Sequence, residues 1–137
     1  MRVVLISCVS KKAEKKCSAR DLYVSSLFRY CLAYARLLNA DKIFVLSAKY
    51  GLVGLNEVIE PYNESLNLMN DAKKKEWADG VFDKLKNEID VDEDEVIFLA
   101  GENYRKYLIE RLKKVSVPLK GLGIGKQLKF LKERLNE

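Results

Sequence analysis

The fold follows from a short stretch near the start of the chain, residues 2–8 (RVVLISC), which is apolar and rich in β-branched side chains. A continuous apolar run of this length is typical of a strand that is buried on both faces of a parallel sheet. Similar runs lie at 42–48 (KIFVLSA) and 96–100 (VIFLA), and a shorter one lies at 115–118 (VSVP). We therefore predict a sheet of about four strands.

Amphipathic segments separate these runs. Amphipathic sequence patterns predict helices over about 22–38, from residue 70 or 71 to about 89, over about 103–113, and from near residue 123 or 124 to 135. Asp21 is predicted to cap the first helix. Strands that alternate with helices indicate an α/β fold with right-handed crossovers. The predicted architecture is a three-layer α/β/α sandwich with a mostly parallel sheet, built as a single domain over 1–137.

Two connecting segments do not fit this alternation. Residues 55–69 lack regular periodicity and contain Pro61, so we predict an irregular arm across one end of the sheet. Gly51 and Gly54 loosen the chain just before the arm. The acidic stretch 90–95 is predicted to form a solvated turn.

Composition narrows the class of protein. The chain has 137 residues, of which 48% are hydrophobic and 33% charged, as expected for a globular domain rather than a disordered chain. No apolar run approaches the roughly 20 residues that span a bilayer. We therefore expect no membrane association and a cytoplasmic location.

Residue usage also limits the chemistry. The chain has three cysteines and no histidine, so neither a disulfide framework nor a zinc site is expected. Without histidine, acid–base work falls to lysine, carboxylates, tyrosine or cysteine. No metal or cofactor is predicted. The formal net charge of +5 permits an anionic ligand or a nucleic acid without requiring one.

Residues that core packing does not require come directly after the predicted strands. In open α/β sheets, ligands bind outside the carboxyl ends of the strands, so these residues are expected to share one pocket. The candidates after the four strands are Cys8, Ser10, Lys11, Lys12, Ser47, Lys49, Tyr50, Gly51, Gly101, Glu102, Tyr104, Gly121, Gly123 and Gly125. Tyr23 and Ser25, at the start of the first helix, complete the set.

Lys11 and Lys12 are the candidate catalytic cations. They can hold a phosphate or carboxylate, and a partly desolvated lysine can attack an electrophilic carbon. The alternative is a solvated basic loop, because Lys15 and Lys16 extend the run. Cys8 and Ser10 are candidate binding residues beside them, although Cys8 also suits a small buried position.

The remaining candidates have simpler roles. Tyr23 and Tyr50 can flank a ring, and Ser25 can bind an anion at the first helix. The glycine-rich segment 120–126 (KGLGIGK) can cradle an anion through its backbone N–H groups. Glu102, or Glu60 in the arm, is the candidate for moving a proton.

The chain resembles an uncharacterised family of small α/β proteins in a set of short motifs. These are LISCVSKK at 5–12, DLYVS at 21–25, SAKYGL at 47–52, PY at 61–62, AG at 100–101 and PLKG at 118–121. The stretch 8–25 is also distantly similar to the core domain of archaeosine synthase, which resembles uracil-DNA glycosylases in fold. That similarity matches Cys8, Lys11 or Lys12, Tyr23 and Ser25 to the signature residues. It implies chemistry on a nucleobase, with a lysine as nucleophile.

The sequence thus predicts an enzyme that acts on a nucleobase or nucleotide, with RNA or DNA as a further candidate partner. A non-catalytic nucleotide- or nucleic-acid-binding module is the alternative. The sequence decides neither the substrate nor the oligomeric state.

Overall fold

A computed structural model describes residues 1–7 and 11–137 and contains a central five-stranded sheet. The sheet strands are β1 (Arg2–Ile6), β3 (Lys42–Ser47), β4 (Gly51–Gly54), β6 (Glu95–Leu99) and β7 (Val115–Ser116). Their order is β4-β3-β1-β6-β7. All neighbours are parallel except β3 and β4, which form an antiparallel pair. The prediction of a mostly parallel α/β sandwich is confirmed.

Helices cover both faces of the sheet. They are α1 (Ala19–Leu22), α2 (Ser26–Leu37), α3 (Asp71–Glu88), α4 (Glu102–Ile109) and α5 (Ile124–Arg134). Because α2 packs against α5 and α3 packs against α4, the long helices form two layers, one on each face. Each crossover helix begins at the carboxyl edge of the sheet.

Strand β1 lies at the centre because its side chains suit burial on both faces. The four residues from Val3 to Ile6 are fully buried. The strand pairs with β3 on one side and β6 on the other, with Leu5 opposite both Phe44 and Phe98. The apolar run at the start of the sequence therefore organises the whole sheet.

The second predicted strand continues into a hairpin that the sequence analysis missed. Residues 48–50 form a turn, and Gly51 adopts a φ of 75° at the start of β4. That left-handed conformation favours glycine. Gly51 and Gly54 therefore bound an edge strand, and the predicted loosening of the chain there is wrong.

The first predicted helix is broken in two. Asp21 lies inside α1 and accepts a hydrogen bond from the Ser18 hydroxyl at 2.9 Å. The cap of the longer helix α2 is Ser25, whose Oγ accepts from the Phe28 backbone N at 3.2 Å. The prediction of Asp21 as its cap is therefore wrong, because Tyr23 is extended and interrupts the helical run.

The arm at 55–69 contains short ordered elements. Strand β5 (Val58–Ile59) pairs antiparallel with β2 (Cys17–Ser18), and a 3-10 turn covers Leu66–Leu68. Leu66 is fully buried, so it anchors the arm to the core. The arm is thus more regular than its sequence indicates.

The acidic turn is also less solvated than predicted. Asp94 is buried and accepts hydrogen bonds from the Asp90 backbone N at 2.8 Å and the Met1 amino group at 2.6 Å.

Among the described residues, no helix combines the length and apolar character that crossing a bilayer requires.

Candidate functional site

A cleft of about 670 Å³ opens at the carboxyl ends of β1 and β6. Its walls come from the strand ends, the arm, the loop after β7 and the first turns of α4 and α5. The lining residues are Ser7, Lys12, Leu27, Asn63, Glu64, Ser65, Asn67, Ala100, Gly101, Glu102, Tyr104, Arg105, Leu119, Gly121, Leu122, Ile124 and Gln127. Parallel strands therefore place the cleft where open α/β sheets bind ligands.

The floor of the cleft is a junction between two strand ends. The Ser7 backbone N donates to the Leu99 carbonyl at 3.1 Å, and the Gly101 backbone N donates to Ser7 Oγ at 3.2 Å. These bonds hold the end of β1 against the turn after β6. Gly101 has no side chain, and no atom of the described residues lies within 4 Å of where a Cβ would be, so these residues leave the backbone open to a ligand.

Two helices begin at the cleft without a side-chain cap. Gly101 precedes α4 and Gly123 precedes α5, and neither has a side chain that could accept from the first-turn N–H groups. In contrast, Ser25 caps α2 and Asn70 caps α3. First-turn N–H groups without acceptors favour an anion or a polar ligand atom.

Lys12 is the cation best placed in the cleft. Its backbone forms an isolated antiparallel bridge with Tyr23, and its Nζ lies 4.5 Å from the centroid of the Tyr62 ring. Burial lowers the pKa of the Lys12 ammonium group, and the negative charge of Glu64 partly offsets that shift. A lysine with a lowered pKa supplies more of the neutral amine near neutral pH.

The charged groups of the cleft are balanced in sign. Lys12 and Arg105 are the cations among the described lining residues, and Glu64 and Glu102 are the carboxylates. One guanidinium nitrogen of Arg105 donates to the Ala100 carbonyl at 2.7 Å, which fixes that side chain beside the strand end. The balance suits a small ligand of low net charge better than a polyphosphate.

Several of the predicted candidate residues meet in this cleft. Lys12, Gly101, Glu102, Tyr104 and Gly121 all line it. Gly123 and Gly125 flank it as the cap and second residue of α5. Tyr104 is also structural, because its hydroxyl accepts from the Leu66 backbone N at 3.4 Å.

Tyr23 and Ser47 lie in a buried network instead. The Tyr23 and Tyr62 hydroxyls are 2.8 Å apart, and Ser47 Oγ accepts from the Tyr50 backbone N at 2.9 Å. Burial raises the pKa of Tyr23 and of Tyr62. Tyr23 is 1% exposed and Ser47 is 0% exposed. Neither side chain is placed to flank a ligand ring.

Tyr50 and Gly51 line a second, smaller depression of about 390 Å³ against α3. Lys49 Nζ lies 5.4 Å from the Tyr50 ring centroid. The Tyr50 ring packs edge-on to Tyr62, with centroids 5.7 Å apart. Tyr62 therefore lies between Tyr50, which lines this depression, and Lys12, which lines the larger cleft. The sequence predicts a single pocket, but the candidate residues are divided between two.

Other candidates lie apart from the cleft. Ser25 serves as the cap of α2, and the Lys11 side chain is exposed. Glu60 is exposed in the arm and, among the described residues, does not contribute to the lining. Cys8 and Ser10 lie outside the described residues.

The arm supplies lining residues that the sequence analysis missed. Asn63, Glu64, Ser65 and Asn67 reach the cleft from it. The only sequence signal was the position of Pro61-Tyr62 just before them.

Within the described part of the chain, no group of three or more His, Cys, Asp or Glu side chains is arranged to hold a metal ion.

The sequence of the chain matches a family of unknown function. The chain is a member of the family of unknown function DUF6884, whose sequence model matches residues 3–133. That match confirms the predicted membership of an uncharacterised family. No curated protein matches the chain. The distant similarity to archaeosine synthase stays a prediction.

Proposed function

We propose that this protein is an enzyme that binds a nucleobase, a nucleoside or a nucleoside monophosphate in the strand-end cleft and acts on it. The observation that carries the proposal is the meeting of Lys12, Glu64 and Glu102 in one cleft at the sheet's carboxyl edge. An amine and carboxylates in one water-accessible cavity are the groups that proton transfer or nucleophilic attack requires.

The size and charge of the cleft support a ligand of this class. A volume of about 670 Å³ lies within the range of small-molecule sites, roughly 300–1,000 Å³. The first-turn N–H groups of α4 and α5, which lack a side-chain cap because Gly101 and Gly123 precede them, suit a single phosphate or the carbonyl edge of a base. The two carboxylates disfavour a triphosphate, because they repel its added charges.

In the proposed reaction, Lys12 is the nucleophile or general base. Its lowered pKa, which results from burial, raises the fraction of neutral amine available for attack. Glu102 stands in the first turn of α4 and is the proposed proton carrier. The distant similarity of 8–25 to the archaeosine synthase core adds support for a nucleobase as the reacting group.

The test is isothermal titration with a ligand panel, followed by product analysis. Nucleobases, nucleosides, monophosphates and triphosphates are titrated into the wild-type chain and into Lys12→Met. We expect a monophosphate or nucleoside to bind best, and Lys12→Met to weaken monophosphate binding by about 10- to 100-fold, the value of one charge-assisted hydrogen bond. Lys49→Met is the matched control, because its cation lies over Tyr50 outside the cleft.

Two results would reject the proposal. One is the absence of binding by every class in the panel at millimolar concentration. The other is equal weakening by Lys12→Met and Lys49→Met, since a site-specific role requires that they differ.

A binding module without catalysis is the second candidate function. The contact between Lys12 Nζ and the Tyr62 ring favours it, because a cation over a ring face is stabilised in its charged form. Chromatography of each bound ligand after prolonged incubation separates the two candidates. An unchanged ligand that still requires Lys12 for binding identifies the module.

A further inference from the structure

One helix layer carries an excess of positive charge. Helices α2 and α5 together have six basic side chains and one acidic side chain. The basic residues are Arg29, Arg36, Lys126, Lys129, Lys132 and Arg134, and all six are exposed. The opposite layer differs, since α3 alone carries five lysines and five carboxylates.

Carboxylates do not neutralise the basic layer. In the described part of the chain, the ion pairs connect other cations, such as Lys106 with Asp71 and Arg111 with Asp79. None of the six cations of α2 and α5 makes such a pair in residues 1–7 and 11–137. Lys132 instead lies 5.7 Å from the Tyr30 ring centroid, which joins the two helices.

The cations of α5 form a row along its exposed side. Lys126, Lys129 and Lys132 recur at three-residue spacing, which places neighbours about 4.5 Å apart along the helix axis. In a DNA duplex, the phosphates of each strand lie about 3.4 Å apart along the helix axis. Long, flexible lysine side chains adjust to phosphate spacings around these values, so successive cations can reach successive phosphates.

This row begins at the cleft. The cleft is lined by Leu27 of α2 and by Ile124 and Gln127 of α5. These residues lie in the first turns, and the rest of each helix extends away from the cleft. A polyanion on the α2 and α5 layer would therefore meet the cleft at one end. Leu37 at the end of α2 and Ile124 at the start of α5 are exposed, but Phe28, Cys31 and Leu131 are buried. The layer therefore offers charge rather than a continuous apolar face for membrane insertion.

We infer that the α2 and α5 layer binds the phosphate backbone of a single nucleic acid strand and delivers one of its nucleotides to the cleft. The inference rests on the proposed function, because the nucleobase cleft is what favours a nucleic acid over an acidic protein. It makes the substrate a nucleotide within a strand. Phosphates would contact the lysines of α5 and the arginines of α2.

The test measures binding of a fluorescein-labelled single-stranded RNA of about 16 nucleotides, long enough for one site, together with the DNA strand of the same sequence. Anisotropy titrations between about 50 and 200 mM salt give the slope of log K against log salt, which is about −0.7 for each phosphate contact. If all six cations take part, we expect a slope of about −4.

Three variants test the inference. The triple substitution Lys126→Gln, Lys129→Gln, Lys132→Gln should reduce the magnitude of the slope by about 2 and weaken binding at least about tenfold. Arg29→Gln with Arg36→Gln should reduce it by about 1.4 on the other helix. The matched control removes three cations outside this layer, through Lys75→Gln, Lys86→Gln and Lys113→Gln, and should change the slope little.

Several outcomes would overturn the inference. Equal slopes for the α5 triple variant and its control would do so. Tighter binding to phosphatidylserine vesicles than to either strand would assign the layer to a membrane. Binding to polyglutamate that is as tight as binding to either strand would assign it to an acidic protein. If strand binding depends on the α5 lysines but no mononucleotide enters the cleft, the proposed function fails and the basic layer survives. The reverse result rejects the layer and keeps the cleft.

Discussion

The two sides of the sheet's carboxyl edge carry similar sequence patterns and do different things. At the ends of β1 and β6, Ser7 and Gly101 form the floor of an open cleft. At the end of β3, Ser47 is fully buried beneath a hairpin, and the hydroxyls of Tyr23 and Tyr62 bond to each other. Small residues at a strand end thus border an open cleft on one side and are packed beneath a hairpin on the other.

The next segment of the chain after each strand causes this difference. After β3 the chain turns back at once into β4, and the Trp77 indole Nε1 donates to the Ser47 carbonyl at 2.8 Å. The polar groups on that side are therefore satisfied within the protein. After β6 and β7 the chain enters helices through Gly101 and Gly123, whose first turns keep N–H groups for a ligand.

The largest expected effect lies on the closed side. Tyr23→Ala removes a side chain that is 1% exposed and packs against Phe28 with ring centroids 5.2 Å apart. We expect a loss of about 3–5 kcal/mol in the free energy of unfolding, as for other buried aromatic residues cut to alanine. Urea unfolding measures it. Lys11→Ala, at a nearby exposed position, should stay within about 0.5 kcal/mol.

A matched pair of serines compares the two sides directly. Ser47→Ala leaves the Tyr50 backbone N without its acceptor in a closed environment, so we expect a loss of about 1–3 kcal/mol. Ser7→Ala removes the acceptor for the Gly101 backbone N, but water in the cleft can replace it, so the loss should stay below about 1 kcal/mol. Equal losses in urea unfolding would contradict the distinction between open and closed sides.

The pKa of Lys12 tests the electrostatics of the cleft. Burial lowers it in the folded chain, so at a given pH below the usual lysine range Lys12 should react faster with acetic anhydride than a normal lysine amine would. Mass spectrometry of the labelled peptide, across pH in folded and urea-unfolded protein, gives both titration curves. Glu64→Gln should lower the pKa of Lys12 further, because that carboxylate stabilises the ammonium form. A folded curve that lies above the unfolded curve would contradict the account.

The linked effect on stability has a definite sign. Because the folded state binds the Lys12 proton more weakly than the unfolded state, the contribution of Lys12 to stability rises with pH between the folded and unfolded pKa values.

The smallest effect is a gain in stability on the open side. Gly123→Ser places an acceptor at the start of α5, where the described residues leave open space around the new Cβ. We expect stabilisation by a few tenths of a kcal/mol, together with weaker ligand binding, because the hydroxyl competes for the same N–H groups. Gly80→Ala in α3 is the control, since it should also stabilise the chain but leave binding unchanged. Stronger binding by Gly123→Ser would argue against a role for these N–H groups.

Much of the fold was predictable because the buried strands have strong local signals. Residues 2–6 and 95–99 pair in parallel as strands at the centre of the sheet, as their apolar sequences indicate, and helices lie between them in the chain. The hairpin at Gly51 was missed because its outer strand has only four residues and two are glycine. The break at Tyr23 depends on its long-range contact with Tyr62, which no local pattern reports.

The site was only partly predictable for a related reason. Small residues mark a strand end in the sequence, so Gly101, Glu102 and Gly121 were identified. Whether the pocket above a strand end stays open depends on the next segment and on the arm. Glu64 and Asn67 reach the cleft because buried Leu66 fixes the arm, and that geometry is a tertiary property.

The most direct test uses NMR of glycine amides during titration with nucleoside monophosphates. Glycine amide signals report separately on the open side, through Gly101, Gly121 and Gly123, and on the closed side, through Gly51 and Gly54. The account predicts saturable shifts in the first three signals and none in the other two. Shifts confined to Gly51 and Gly54, or no shift at millimolar ligand, would contradict it.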